Sequence, residues 1–216
     1  AAIQAAVTSR FGNAGQVCIA AKRIWVDAKI EAEFTRRLTE KTKELSVGDP
    51  ELETTDMGPM ARQDLRAELH AQVQASLRLG ARLLTGGEML VGEGYYYAPT
   101  VLADIPANAP VLCQETFGPV AAILPFTTIE DAISLSNNTP YGLSASIWTQ
   151  DAVAAETLSQ GLNCGNVFIN SMSFSDPRLP FGGVKKSGFG RELSSFGLHE
   201  FANVKSIYTH NNEEVV

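Results

Sequence analysis

Three cysteines, Cys18, Cys113 and Cys164, are the residues of this 216-residue chain best suited to covalent chemistry. Cysteine is the strongest side-chain nucleophile near neutral pH once deprotonated. Cys18 stands apart from the other two by its setting, Phe11-Gly12-Asn13-Ala14-Gly15-Gln16-Val17-Cys18-Ile19. Two glycines just before it permit a close backbone approach to whatever the thiol meets. Ala20-Ala21-Lys22-Arg23 follows and puts positive charge nearby, which favours thiolate. Against this stands the ordinary fate of a cysteine, which is more often a small buried hydrophobe than a nucleophile.

Two further segments carry groups that could bind a ligand. Gln114-Glu115-Thr116-Phe117-Gly118-Pro119-Val120 places a carboxylate two residues before an aromatic, at a turn entering a strand. A carboxylate can accept both hydroxyls of a ribose, and an aromatic can pack on a flat ring. Taken alone, the segment reads more simply as a surface Glu and a core Phe. Residues 180–192, Pro180-Phe181-Gly182-Gly183-Val184-Lys185-Lys186-Ser187-Gly188-Phe189-Gly190-Arg191-Glu192, are too rich in glycine for a regular element. They contain neither GxGxxG nor GxxxxGK[ST], so phosphate cradling has no support there.

Other chemistries are disfavoured. The cysteines are odd in number and widely spaced, unlike a disulfide framework, and His70, His199 and His210 have no metal-ligand spacing. No metal site is expected, and the reading is a reduced, cytoplasmic protein. The formal net charge of −7 argues against nucleic-acid and membrane-surface roles. No apolar run approaches the roughly 18 residues that span a bilayer.

The elements that must position these residues alternate in period. Ala1-Ala2-Ile3-Gln4-Ala5-Ala6-Val7 reads as helix from its first residue, with no cap, as though the chain were cut from a larger protein. Helical spacing recurs through Ile30, Phe34 and Leu38, and through Leu65, Leu69, Val73 and Leu77. Helices are also expected over residues 129–135 and 152–158. Strands are expected at Ile24-Trp25-Val26, Arg82-Leu83-Leu84-Thr85, residues 95–101, 120–124 and 143–148, and Val167-Phe168-Ile169. This alternation predicts an α/β fold, a mostly parallel sheet with helices on both faces. Active sites of such sheets lie beyond the strand carboxyl ends. Ser206-Ile207-Tyr208 reads as a short strand in a polar tail. The domain body is thus residues 1–204 and the tail residues 205–216.

Together the motifs closely resemble the aldehyde dehydrogenase superfamily. The matching pieces, in order, are Gly15-Gln16-Val17-Cys18, Glu115-Thr116-Phe117-Gly118-Pro119-Val120, Asn137-Asn138-Thr139-Pro140-Tyr141-Gly142-Leu143-Ser144-Ala145, Asn170, and the 180–192 loop. The resemblance covers nearly the whole chain but only about the C-terminal half of a family member. It implies that Cys18 is the nucleophile that attacks an aldehyde carbon, and that its backbone N–H helps hold the oxyanion. It implies NAD or NADP as cofactor, with Glu115 on the nicotinamide ribose and Phe117 beside the nicotinamide. Val17 and Ile19 would line the aldehyde pocket, with Ser175 and Phe181 as further walls, and Asn170 would support the loop. The family's general-base Glu, second oxyanion donor and Gly-rich cofactor turn lie well upstream of the nucleophile, and only 17 residues precede Cys18 here. The chain alone is therefore expected to be inactive and to need the N-terminal half as partner.

Among family members the pattern is most similar to short bacterial succinate-semialdehyde dehydrogenases, notably in residues 13–23, 52–69, 180–193 and 196–201. A semialdehyde with a distal carboxylate needs a cation at the pocket mouth. The mitochondrial type's Arg, six residues before the nucleophile, is Gly12 here, which leaves Arg10, Arg178 or a residue of the N-terminal half as candidates. The rival readings are oxidation of another aldehyde, coenzyme A acylation, a purely structural fragment, and a cysteine hydrolase, for which no His lies near Cys18 in sequence. The resemblance further implies a homodimer or homotetramer, with residues 206–208 joining a neighbour's sheet.

Overall fold

Helix α1 (Ala2–Phe11) leads straight into the segment that carries Cys18. In this computed structural model, which describes residues 1–210, no side chain caps the start of α1. The helix gives way to a 3-10 turn, Gly12–Gly15, in which Asn13 and Ala14 take left-handed backbone angles, φ 51° and 53°. Left-handed conformation disfavours residues with a Cβ, so surrounding contacts must hold this turn. It delivers the chain through residues 16–22 to strand β1 (Arg23–Asp27).

The main sheet has the order β1-β4-β3-β2. Strand β4 (Val120–Phe126) lies between β1 and β3 (Thr100–Ala103) and runs parallel to both. Residues Val120 to Ile123 are all buried, which is why this stretch reads as a continuous apolar run. Strand β2 (Arg82–Thr85) is the antiparallel edge, with a register break between Leu83 and Thr85. The expected mostly parallel arrangement is therefore mixed at one edge. A smaller parallel pair joins β6 (Ser144–Ile147) to β7 (Asn166–Ile169), and a two-residue antiparallel pair joins β5 (Tyr141–Gly142) to β8 (Val184–Lys185).

Helix α2 (Glu31–Lys43) buries Thr35, Leu38 and Thr42; of the face the sequence marks, Leu38 is buried and Phe34 is partly buried against the core. Ile30, expected on that face, is the residue before the helix and is exposed. Helix α3 (Gln63–Arg78) buries Leu69, Gln72, Val73 and Ser76. Ser76 Oγ accepts from Val111 N–H at 3.2 Å and so pins the short helix α4 (Pro110–Cys113) against α3. Val7 and Phe11 of α1 join Leu38, Met57, Met60, Leu69, Val101, Val120 and Ile123 in one core. Helix α5 (Ile129–Asn137) starts at a capping box, Thr128 with Asp131, and α6 (Ala152–Gly161) at Asp151, whose carboxylate accepts from Val153 and Ala154 N–H.

Beyond β8 the chain carries α7 (Ser194–Glu200) and then an extended tail. Residues 206–208, expected as a strand, pair with no strand among the described residues, and Ile207 and Tyr208 are exposed. A strand is defined by its neighbour, and this tail has none among the described residues. Residues 211–216 of the expected tail lie outside the described residues. Among the described residues no helix is long and apolar enough to cross a membrane.

Candidate active site

Cys18 is exposed and free, two residues before buried Ala20. The turn ahead of it is held by its own polar side chains. Asn13 Nδ2 donates to Gln16 O and Gln16 Nε2 to Asn13 O, both at 3.2 Å. Gln16 Oε1 accepts from Ala61 N–H at 2.8 Å, tying the turn to the segment before α3. Val17 and Ile19 flank the thiol, half-buried.

The Glu115–Phe117 segment lies against this turn, backbone to backbone. A Cβ on Gly15, at φ +69°, would come within 3.0 Å of the Gly118 carbonyl and of Arg10 Nη2. A Cβ on Gly118 would meet Leu69 equally closely. Gly15 is thus required by proximity as well as by backbone angle, while at Gly118 the ends of the Leu69 and Met60 side chains would have to shift. Gln72 on α3 donates to Glu115 O and to Gln114 Oε1, each at 3.1 Å, and fixes the other side of the segment. The side chains of Glu115 and Phe117 are left partly exposed, 42% for the carboxylate.

Two cations join the segments. Arg10 is fully buried, and its Nη2 donates to Thr116 O at 3.0 Å and to Gly118 O. Its Nε and Nη1 are buried without a protein partner among the described residues. Burial pushes this guanidinium down to about 9, with Glu115 acting in the opposite sense. Lys22 Nζ donates to Val17 O at 3.2 Å and to Cys18 O at 2.9 Å. It also sits 3.5 Å from Glu115 Oε1 and 5.8 Å from the centre of the Phe117 ring. Burial and then the Arg10 charge lower its ammonium pKa, and Glu115 restores part of that loss.

The structure therefore brings Cys18, Glu115 and Phe117 together through Lys22. The 171–181 segment is different. Ser175 is exposed, Phe181 is buried in a backbone pair with Glu192, and among the described residues no hydrogen bond links either to the Cys18 loop. Asn170 bonds Thr149 through both ends of its amide, Oδ1 at 3.0 Å and Nδ2 at 2.9 Å. Of the two candidate carboxylate-binding arginines, Arg10 is committed to the interior. Arg178 is exposed and paired with Asp176, Nη2 to Oδ2 2.6 Å. Sequence reasoning missed Arg10 as a tie, as well as Gln16 and Gln72. Only the proximity of Lys22 to Cys18 was legible in advance.

A cysteine at a strained turn, an accessible carboxylate and an aromatic on one adjoining loop fit a family with which the whole chain agrees. Residues 1–207 match the profile of the Aldehyde dehydrogenase family, and the chain belongs to that family. It is 51% identical over 207 residues to the succinate semialdehyde dehydrogenase [NAD(P)+] of Escherichia coli K12, covering 96% of this chain and 45% of that one. A probable succinate-semialdehyde dehydrogenase [NADP(+)] from Synechocystis is 49% identical, covering 96% and 46%. Among solved structures, betaine aldehyde dehydrogenase from Staphylococcus aureus in complex with NAD+ superposes with TM-score 0.95 at 31% identity, over 100% of this chain and 44% of that one. Lactaldehyde dehydrogenase from Escherichia coli gives 0.94 at 36%, over 96% and 44%. The chain spans about half the length of the curated relatives it matches.

Proposed function

We propose that these residues form the nucleophile half of an NAD(P)-dependent aldehyde dehydrogenase that oxidises succinate semialdehyde to succinate. The observation that carries the reading is the junction of the exposed Cys18 with Glu115 and Phe117 across Lys22. Cys18 Sγ attacks the aldehyde carbon, the carbonyl pair moves to oxygen, and a thiohemiacetal forms. Bound NAD or NADP would supply the hydride acceptor that turns this adduct into a thioester. The partly exposed Glu115 carboxylate fits a ribose, with one oxygen toward Lys22 and the other open, and the half-exposed Phe117 ring fits a flat nicotinamide. Water then cleaves the thioester, giving the acid and returning the thiol.

On this reading the family's base for that water and its second oxyanion donor come from outside the described residues, and these residues alone are expected to be inactive. The substrate assignment draws on the names of the relatives and on the semialdehyde's distal carboxylate. Burial of Arg10 leaves Arg178, or a residue of the N-terminal half, to meet that carboxylate, with Val17, Ile19, Ser175 and Phe181 as pocket walls. Assembly is as a homodimer or homotetramer.

The test is reduced-nicotinamide formation by the complete parent protein with succinate semialdehyde, run with NAD and with NADP, beside Cys18→Ala. A rate that vanishes in Cys18→Ala supports the reading and fixes the cofactor. Folded protein with no rate, or a rate only with coenzyme A, sinks the assignment.

A further inference from the structure

Lys22 is a half-buried ammonium whose bonds all point toward the nucleophile loop and its neighbour. Its side chain is 18% exposed, and it gives one hydrogen bond to the carbonyl before Cys18 and one to the carbonyl of Cys18 itself. The two peptide planes that flank the cysteine are therefore held by one cation. The first plane matters most. Val17 C=O and Cys18 N–H belong to the same rigid unit, so fixing one fixes the other. Val17 O already accepts from Ala20 N–H at 3.0 Å, and the ammonium is its second donor. Among the described residues the Cys18 N–H donates to no backbone or side-chain acceptor. Donors that converge on the carbonyl end of a peptide polarise its N–H end, which makes it a stronger donor in turn.

We infer that Lys22 is a positioning residue that orients and polarises the Cys18 N–H toward the oxygen of the bound aldehyde. This inference rests on Cys18 being the nucleophile. When Sγ bonds the carbonyl carbon, the π pair moves to oxygen, and the negative charge forms where this N–H points. The contribution is electrostatic and specific to the addition step. Glu115, 3.5 Å from Nζ, is the ammonium's counter-charge, so a single side chain also registers the nucleophile against the cofactor loop. A general acid or base role for Lys22 is not part of the inference, because its donors face carbonyls and a carboxylate.

The experiment uses the complete parent protein. Lys22→Met keeps the aliphatic stem and removes the donors. Its first-turnover burst of reduced cofactor, at saturating aldehyde and cofactor, is expected to fall about ten-fold or more. Alkylation of Cys18 by iodoacetamide forms no oxyanion, so its limiting rate at alkaline pH, where the thiol is fully ionised and the charge of Lys22 no longer sets the thiolate fraction, is expected to stay within about two-fold of wild type. A parallel fall in this limiting rate overturns the inference, because Lys22 would then act on the thiol itself. An undiminished burst overturns it as well. Lys22→Ala with added methylammonium is the second variant. Recovery of several-fold in the burst supports the inference, and no recovery in a protein with native circular dichroism counts against it. Cys18→Ser, measured alongside, separates the two levels. Retained activity there would remove the nucleophile reading itself, whereas a dead Cys18→Ser beside an unimpaired Lys22→Met removes only the role given to Lys22.

Discussion

Arg10 shows how a side chain can serve the site without touching a ligand. Its guanidinium is out of water with two nitrogens unpartnered among the described residues, so its net value to stability is small, as is common for buried cations. Its value lies in holding Thr116 O and Gly118 O beside the nucleophile turn. Arg10→Met is therefore expected to split the two effects. The thermal midpoint should change little, since a buried charge and two carbonyl contacts are lost together. The KM for the cofactor should rise about five- to ten-fold in the complete parent protein, as Glu115 loses its register. A large fall in the midpoint with unchanged KM would contradict this. Gly15→Ala is different in kind. Positive φ and the closeness of Gly118 O act in the same direction, and the variant should lose more than about 2 kcal/mol in urea unfolding. Equal stability would mean the two loops can part. Cys18 and Glu115 could be picked out because each sits in a short contiguous motif. The part Arg10 plays as an internal tie could not, since its partners lie 106 and 108 residues away and leave no local pattern. Gln72 was hidden for the same reason, a polar residue on a helix face that otherwise reads as core.

Elements with a readable apolar pattern were legible, down to the four residues of β2 and β7, and those without one were not. Helices α2, α3, α5 and α6 and strands β1 and β4 follow apolar spacing that survives in the structure. The four residues of α4 and the paired dipeptides of β5 and β8 are too short to carry a period. Helix α7 contains Gly197 and buries no residue, so its sequence has no amphipathic signature. The tail near residue 207 pairs with no strand among the described residues; its expected partner is a neighbouring copy, and such pairing belongs to two segments and cannot be read from one. Helix α5 offers a sharp test of an element's start. Thr128→Ala removes the acceptor for Asp131 N–H and should cost about 1 kcal/mol. Asp131 itself has its carboxyl held below the ordinary value by the Thr127 hydroxyl, chiefly, and by Thr128. Its folded pKa is lower than its unfolded one, so its stabilisation is complete above the ordinary aspartate range. It is lost as pH falls through the folded value. The difference in urea midpoint between wild type and Asp131→Asn should therefore shrink on acidification. A difference that grows would show that the carboxylate is not the stabilising form.

At the scale of the molecule, the C-terminal part differs from the rest. Phe189, Phe196, Leu198, Phe201, Val204, Ile207 and Tyr208 are all exposed, whereas the main sheet is closed over its core. Scattered apolar residues on a surface mean little, but a run of them along one segment marks a face that prefers to be covered. The 216-residue chain purified alone is expected to elute in size-exclusion chromatography above its monomer size, or to precipitate. A stable monomer at micromolar concentration would argue against the assembly proposed above. Dehydrogenase activity should be absent from this chain and present in the complete parent protein under identical conditions. A rate from the chain alone would show that water is activated by a group within these residues.

The tight seating of Gly15 on Gly118 also has a consequence for anyone rebuilding this protein. The turn before the cysteine and the loop around Glu115 are two halves of one mould, cast from distant stretches of chain with no room for a side chain between them. A graft that imports one stretch from a relative with a different contour will jam or gape at that seam. Chimaeras should therefore carry residues 10–22 and 114–119 from the same parent, and libraries that vary one should vary the other in step.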